Sequence, residues 1–524
     1  MSDTTNAAAK RAVRSLRALA LSGCATAAML ALSAQPASAS SIFTGNLVVS
    51  SLTYQGSAST VTVGQTLPNN SGAIAAIGNG AFGNVFQNDT VDANFGVTAP
   101  YALSFYSSNG KTAALRSVFN VPDSSFSGSF SSKSEGAINV SANGQAITLL
   151  GYNSGINQLD ISNTNTPGGT ETGNADTAKA TYRTVAQVNS SGTVQLTNTN
   201  AYSGNNGRAV ILAGDGNYYT VGNAGNGNGD GNTAALTGVQ RLAPSAVNGA
   251  TTQIGAFNVT QVGLPADKTA KDSNYRGETI SGNTLFVTKG SGSNGIDTVY
   301  QVGTAGSTPT TGDASTPVNV LPGLPIGSAK KNTANFFPFG VWFANSTTMY
   351  VADEGDGVLA DAAGDKNAGL EKWSLVNGTW VKDYTLQNGL ALGSNYTVTG
   401  IDAAGDGGAY TTATDGLRNI IGQVNADGTV TIFAVTSTVS VGTGDQGADP
   451  DKLVAITDTL ADTTAGQAAG ESFDTLQTAA YGQVLRGVAL VTPVPEPDTW
   501  AMLIVGFFGL GAVLRSRKGR TAAA

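Results

Sequence analysis

The chain has 524 residues, a formal net charge of −8, 68 Gly and only 12% charged residues. It contains no His, and its one Cys is Cys24, close to the N-terminus. Metal sites built on imidazole or thiolate, Ser-His-Asp or Cys-His catalysis and disulfide cross-links are therefore excluded for the rest of the chain. The acidic charge argues against nucleic-acid binding, and the abundance of Gly favours turn-rich β-structure.

Residues 1–39 have the organisation of a secretory signal peptide. A basic segment and the apolar stretch 18–32 are followed by Ala37 and Ala39, which form a signal-peptidase site of the A-x-A kind. The alternative is a lipoprotein signal, because "LSGC" ends at Cys24, although its apolar core would be only six residues long. We expect signal peptidase to cut after Ala39 and the body to be exported.

The body, residues 40–493, repeats one pattern of predicted strands. A small residue opens an apolar strand, a tight turn leads to a second strand, and a Gly-rich loop often leads to a third. The pattern recurs at intervals of 60 to 87 residues, which indicates a repeat architecture. The residues that open it are Gly136, Ala209, Gly277, Gly340, Gly400 and Gly487.

Turn chemistry supports strands throughout the body. Four dipeptides of the kind preferred in two-residue β-hairpin turns stand between β-like runs. They are Asn143-Gly144, Asp215-Gly216, Asn377-Gly378 and Asp427-Gly428.

The repeat predicts an all-β fold, a β-propeller, because radial packing of small sheets leaves few exposed edges. The six opening residues indicate six blades, or seven if the last interval holds another copy of the pattern. The final half-copy, "RGVALV", would be the innermost strand of a blade completed by N-terminal strands such as "GNLVVSSLTYQ". The alternative is a parallel β-helix, which would need a shorter period of about 20–25 residues. The sequence shows no such shorter period.

The body also resembles a group of secreted bacterial β-propeller proteins of unknown function. The stretches that carry this resemblance are "SEGAINVSANGQAITLLGY", "YVADEG" with "GLEKWSLVNGTW", and "LRGVALVTP". The resemblance implies the architecture and no activity.

Three arginines, Arg208, Arg276 and Arg486, directly precede predicted innermost strands, and Glu135 takes the same place in the first repeat. In a propeller these side chains would gather at one mouth of the central channel. They could link neighbouring blades through hydrogen bonds and ion pairs. The other interpretation is a binding site for an anionic sugar or a carboxylate, which guanidinium groups bind in bidentate fashion.

One acidic connection between strands could hold calcium, the only cofactor that the sequence suggests, because several carboxylates suit a hard cation. The alternative is a solvated acidic loop. Its carboxylates are Asp353, Glu354, Asp356, Asp361 and Asp365. A weaker candidate is half of a calcium loop, which has Thr237 where an acidic residue should complete it. Its ligands would be Asn226, Asn228 and Asp230.

Glycoside hydrolysis needs two carboxylates and no His, so a hydrolase acting on exopolysaccharide remains the alternative to a non-enzymatic protein. Glu278, Glu354 and Asp402 lie near predicted strand ends. Three tryptophans are interpreted as core or hairpin packing rather than as sugar platforms. They are Trp342, Trp373 and Trp380.

The C-terminal segment, residues 494–524, has three ordered parts: a Pro-Glu-Pro turn, a short apolar helix and a basic end. The apolar helix 500–514 has 15 residues, fewer than the roughly 20 that usually span a bilayer. The residues that define these three parts are Pro495, Glu496, Pro497, Trp500, Ala501, Arg515, Arg517 and Lys518.

This segment resembles the PEP-CTERM sorting signal of Gram-negative bacteria, in its PEPxxWA form. The resemblance implies secretion, transient anchoring in the inner membrane through this segment alone, and processing by an exosortase-like membrane protease. It also implies a place at the cell surface or in an extracellular polysaccharide matrix. We therefore expect an exported, non-enzymatic propeller that binds saccharide or protein.

Overall fold

In the part of the body that the structure describes, the regular structure is β-strand with four short helical segments. The computed structural model describes residues 41–492 except 56–96, 159–160, 171–179, 226–232, 245–248, 250, 258–272, 291–294, 311–315, 328–334, 402, 404–406, 441–443 and 446. The helical segments are α1 (Thr233–Leu236), α2 (Leu359–Ala362) and the 3₁₀ turns Ile161–Asn163 and Ala468–Gly470. Within this part of the chain, no helix has the length and apolar character that crossing a membrane requires. The predicted signal peptide and sorting segment lie outside it.

Six larger sheets in the described residues form the blades of a propeller. Blade 1 contains β1 (Leu47–Thr53), β3 (Tyr101–Ser108), β4 (Ala113–Asn120) and β29 (Gln483–Leu490), with a small sheet of β2 (Thr98–Ala99) and β5 (Gly128–Ser129) nearby in sequence. Blade 2 contains β6 (Asn139–Val140), β7 (Ala146–Tyr152), β8 (Arg183–Asn189) and β9 (Val194–Thr199). Blade 3 contains β10 (Gly207–Leu212), β11 (Tyr218–Gly222), β12 (Gly238–Leu242) and β13 (Thr252–Ile254).

The second half of the ring has more elaborate sheets. Blade 4 contains β14 (Ala256–Phe257), β15 (Glu278–Ser281), β16 (Thr284–Lys289), β17 (Thr298–Val302) and β18 (Pro317–Val320). Blade 5 contains β19 (Pro338–Asn345), β20 (Thr348–Asp353), β21 (Gly369–Val376) and β22 (Thr379–Leu386). Blade 6 contains β23 (Asn395–Ile401), β24 (Gly407–Val424), β25 (Thr429–Ser440), β26 (Gly444–Asp445), β27 (Lys452–Thr459) and β28 (Asp474–Thr478).

The cores lie between the blades and fix their order around the ring. Each of the six interfaces between adjacent blades holds its own cluster of buried apolar side chains. Successive residues of a strand serve opposite interfaces: Leu285 and Val287 pack toward blade 3, whereas Phe286 packs toward blade 5. Because each middle strand is buried on both faces, it appears in the sequence as a continuous apolar run.

Blade 1 joins the two ends of the body, as the sequence predicts. Strand β29 pairs antiparallel with β1, from Leu47 opposite Leu490 to Thr53 opposite Gln483. On its other side β1 pairs with β3, and β3 pairs with β4. The pairing is antiparallel in every blade, apart from the parallel contact of β14 with β18, so the parallel β-helix is not the fold.

The four predicted turns all connect antiparallel strands, but only one has two residues. Asn377 and Gly378 both have positive φ (51° and 79°), as a type I′ hairpin turn requires. In the other three turns only the glycine has positive φ, and the loop is longer.

One of the six opening residues, Gly400, was wrongly predicted to begin an innermost strand. Gly400 lies in β23, which pairs with the first half of β24. The innermost strand of blade 6 is instead the second half of β24, where Asn419, Ile420 and Ile421 face the channel. The prediction failed because β24 is 18 residues long and serves as both the partner of β23 and the inner strand. With the opener moved to Asn419, the described residues contain six blades and no seventh.

The small opening residues exist because neighbouring innermost strands nearly touch. A Cβ on Gly487 would lie 2.4 Å from the main-chain nitrogen of Ile138 and 2.7 Å from the carbonyl oxygen of Gly136. Gly340 meets Arg418 in the same way, with 2.6 Å to its carbonyl oxygen. Only glycine permits this approach without moving the backbone.

Gly487→Ala should therefore lower the free energy of unfolding by about 1–3 kcal/mol, because the added methyl group forces two strands apart. Gly466→Ala is the matched control, since a Cβ there meets no atom within 4 Å. Urea unfolding, monitored by circular dichroism, measures the free energy of unfolding of both variants. Equal stability of the two variants would contradict the close approach of β29 to the segment Gly136–Ile138, which directly precedes β6.

Candidate functional site in the central channel

The six innermost strands enclose a cavity of about 310 Å³ on the propeller axis. Blade 1 contributes β29, blades 2 to 5 contribute β6, β10, β15 and β19, and blade 6 contributes β24. Most of its lining side chains are aliphatic. Ala142 and Gly214, which follow β6 and β10, also line it and are exposed, so the cavity reaches solvent at that end of the channel.

The opposite end of the channel is occupied by buried charged side chains, which we call the arginine layer. It consists of five buried residues that lie in or before the innermost strands, on the side of each strand that precedes its cavity-lining residues: Glu135, Arg208, Arg276, Arg418 and Arg486. The sequence predicted four of them. Arg418 was missed because the opener of its blade was placed at Gly400, although "LRN" at 417–419 matches "LRG" at 485–487.

The guanidinium groups of the arginine layer donate to neighbouring segments. Arg208 donates to the Tyr275 carbonyl at 2.6 Å and to the side chain of Asn274, both just before blade 4. Arg486 donates to the carbonyls of Phe130, at 2.7 Å, and of Gly447. These contacts link separate segments of the ring, as the structural interpretation of the arginines predicts.

The acidic groups of this end are also engaged. Glu354 accepts from Arg418 at 3.2 Å and lies 3.4 Å from the ammonium group of Lys133. Glu135 accepts from the hydroxyl of Tyr152 at 2.5 Å and from the side-chain amide of Asn206 at 3.1 Å. Burial raises the pKa of Glu135, although these hydrogen bonds oppose the shift.

Burial also lowers the pKa of Arg486 to about 10, with the Asp451 carboxylate acting in the opposite direction. Burial raises the pKa of Asp451 to about 7, against the effect of Arg486. Because charges removed from water need partners, the interactions of this layer are first of all structural.

The predicted calcium ligands do not come together. In the described ranges, no group of three or more acidic side chains could hold a metal ion. Asp353, Asp356 and Asp365 each accept a hydrogen bond from a main-chain N–H at 2.8 Å. Glu354 binds Arg418, and Asp361 is exposed in α2. Asn226, Asn228, Asp230 and Asp402 lie outside the described residues.

Two of the three tryptophans, Trp373 and Trp380, are buried between blades 4 and 5, which confirms their interpretation as core. Trp342 is different. It packs on the core between blades 5 and 6, lies 5.9 Å from the Tyr350 ring and remains half-buried in the channel wall.

Glu278 is the one ionisable side chain among the described residues that line the cavity. The residue is only 8% exposed, its carboxyl oxygens are shielded from solvent, and neither oxygen has a hydrogen-bond partner in the described part of the chain. Burial raises the pKa of Glu278 well above its ordinary value. Burial therefore favours the protonated, uncharged form of Glu278 to a higher pH than for an exposed carboxyl group.

Comparisons with known proteins add little. No protein-family model matches the chain, and no curated protein matches it. The parainfluenza virus 5 hemagglutinin-neuraminidase ectodomain is 10% identical, with 92% of this chain and 96% of that one covered and a TM-score of 0.34. A Thermus thermophilus protein named as an oxidoreductase (glucose dehydrogenase) is 12% identical, with 66% and 92% covered and a TM-score of 0.32. Likenesses this weak carry no argument about activity.

Glu278→Gln should stabilise the protein more as pH rises. The folded pKa of Glu278 is raised, so its contribution to stability is complete below the unfolded pKa, about 4.3, and is lost as pH rises through the folded pKa. The advantage of the Gln variant should grow by about 1.4 kcal/mol per pH unit within that window.

Urea unfolding between pH 4 and pH 9 measures this difference. The matched control is Asp427→Asn, because Asp427 is an exposed carboxylate whose pKa is lowered by its hydrogen bonds to Thr429. The Asp427→Asn control should gain no stability relative to the wild type as pH rises. A Gln variant whose stability stays parallel to the wild type at every pH would show that Glu278 is not a buried acid.

Proposed function

We propose that this protein is exported, is sorted through its C-terminal segment to the cell surface or the extracellular polysaccharide matrix, and acts there by binding rather than by catalysis. Its partners would be signal peptidase, an exosortase-like protease and then a saccharide or a protein. The observation that carries this proposal is that the ring is complete without either terminal segment.

The first described residue, Ser41, follows the predicted signal-peptidase site, and the last strand, β29, ends at Leu490. Pro495 begins the sorting motif only five residues later. Removal of both terminal segments would therefore leave every strand of the six blades in place. Such independence suits segments that direct export and are then discarded.

The channel favours binding over hydrolysis. A glycosidase needs two carboxyl groups on either side of a substrate, about 5–10 Å apart. Among the described residues, Glu278 is the only carboxylic acid in the cavity wall, and Glu354 is already bound to Arg418. The carboxylate-dependent or calcium-assisted hydrolase therefore remains the second candidate.

An anionic ligand at the arginine layer has less support. Arg208 and Arg486 already donate to main-chain carbonyls, and both are buried. A saccharide or protein partner would more readily use an outer surface of the propeller.

Mass spectrometry of the protein from the surface or medium of the producing cells tests the sorting step. The mature chain should begin near Ser40 and end near the Pro-Glu-Pro motif at 495–497. Pro495→Ala with Pro497→Ala should keep the apolar segment attached and retain the protein in the membrane fraction. An intact basic end, with Arg515 and Arg517 present in the mature wild-type protein, would contradict processing.

Incubation of the same mature protein with the producer's exopolysaccharide tests the absence of catalysis. No new reducing ends should form, with calcium or with a chelator, while the protein should co-sediment with the matrix. Release of reducing ends that Glu278→Gln or Glu354→Gln abolishes would establish the hydrolase instead.

A further inference from the structure

We propose that the open part of the central channel is a binding site for a small, uncharged and predominantly apolar molecule. This inference deepens the proposed function and rests on it in one respect, namely that the protein acts by binding. It assigns the channel a ligand class that differs from the matrix saccharide.

The wall of the cavity carries a ring of half-buried apolar side chains, one from each blade. They belong to six different strands, so the ring is a property of the whole propeller. Its members are Val140, Leu212, Ile280, Trp342, Ile421 and Leu490. We call this set the apolar ring.

Each member of the apolar ring is held in place from behind. Val140, for example, packs on the core between blades 1 and 2, Ile280 on the core between blades 3 and 4, and Trp342 on the core between blades 5 and 6. Their remaining surface faces the cavity. A preformed concave apolar surface of this kind is typical of small-molecule sites.

The amide and carboxyl side chains of the wall offer little to a charged ligand. The side-chain amide nitrogens of Asn139 and Asn419 already donate to the carbonyls of Val210, at 3.1 Å, and Arg486, at 2.7 Å. Glu278 keeps its carboxyl shielded. A buried charge would therefore meet a desolvation cost that these side chains do not offset.

The volume indicates the size of the ligand. A cavity of about 150 Å³ lined by aliphatic and aromatic side chains accommodates benzene. The channel cavity, at about 310 Å³, has room for a molecule of about two rings.

Among the described residues, the cavity reaches solvent at one end of the channel. The arginine layer closes one end through contacts such as that of Arg486 with Phe130. The exposed residues Ala142 and Gly214 border the other end.

Binding of naphthalene to the mature protein, followed by calorimetry and by Trp fluorescence, tests this site. The wild type should bind one naphthalene saturably, and naphthalene-2-sulfonate should bind at least about tenfold more weakly because of its charge. Oligosaccharides from the matrix should not compete. Equal binding of the neutral and the sulfonated probe would overturn the assignment.

Val140→Trp should fill the cavity and weaken naphthalene binding by about tenfold or more. Val381→Trp is the matched control, because Val381 is 47% exposed on β22, away from the channel lining. If Val140→Trp does not fold, Leu212→Trp places the same bulk in the neighbouring blade. Unchanged binding in a folded cavity-filling variant would overturn the channel site.

Matrix co-sedimentation of the same samples separates this inference from the proposed function. If a folded cavity-filling variant loses naphthalene binding but still co-sediments with the matrix, the channel site is supported and the matrix binds to another surface. Saturable naphthalene binding without co-sedimentation supports the channel site and contradicts the matrix role. Absence of saturable binding by the folded wild type overturns the channel site in either case.

Discussion

The structure depends on the pairing of β29 with β1, which closes the ring. The hydroxyl of Ser50 shows how tightly this closure is made: it donates to the Gly136 carbonyl at 2.6 Å and accepts from the Gly487 amide at 2.7 Å. The contact of Ser50 with Gly487 joins residues 437 positions apart. Because the only Cys is Cys24, hydrogen bonds and packing must do what a disulfide could otherwise do.

The strand that closes the ring also contributes to both ends of the channel. Strand β29 brings Arg486 into the arginine layer and Leu490 into the apolar ring, so one strand serves both the sealed and the open end. Elsewhere the ring is held by further buried contacts, including the ion pair of Lys372 with Asp458, 2.8 Å apart, between blades 5 and 6. A rigid wall around the cavity follows from this closed arrangement.

The architecture was predictable because its signals are local: apolar runs, Asn-Gly turns and small residues that open strands. The closing strand was predictable because "RGVALV" lacks partners nearby in the sequence. Arg418 was missed because the length of β24 depends on its pairing with β23. The apolar ring and the ion pair of Glu354 with Arg418 were also beyond prediction, because they depend on how six blades are arranged in space.

Hydrogen exchange of the body, resolved at the level of peptides from β29, β1, β3 and β4, tests the closure most directly. If β29 closes the ring, those amides of β29 that donate to β1 exchange only with global unfolding, as slowly as those of β1. The outer strand β4 should exchange sooner. Rapid exchange of β29, with β1 and β3 still protected, would show that the ring stands without it and would contradict this account.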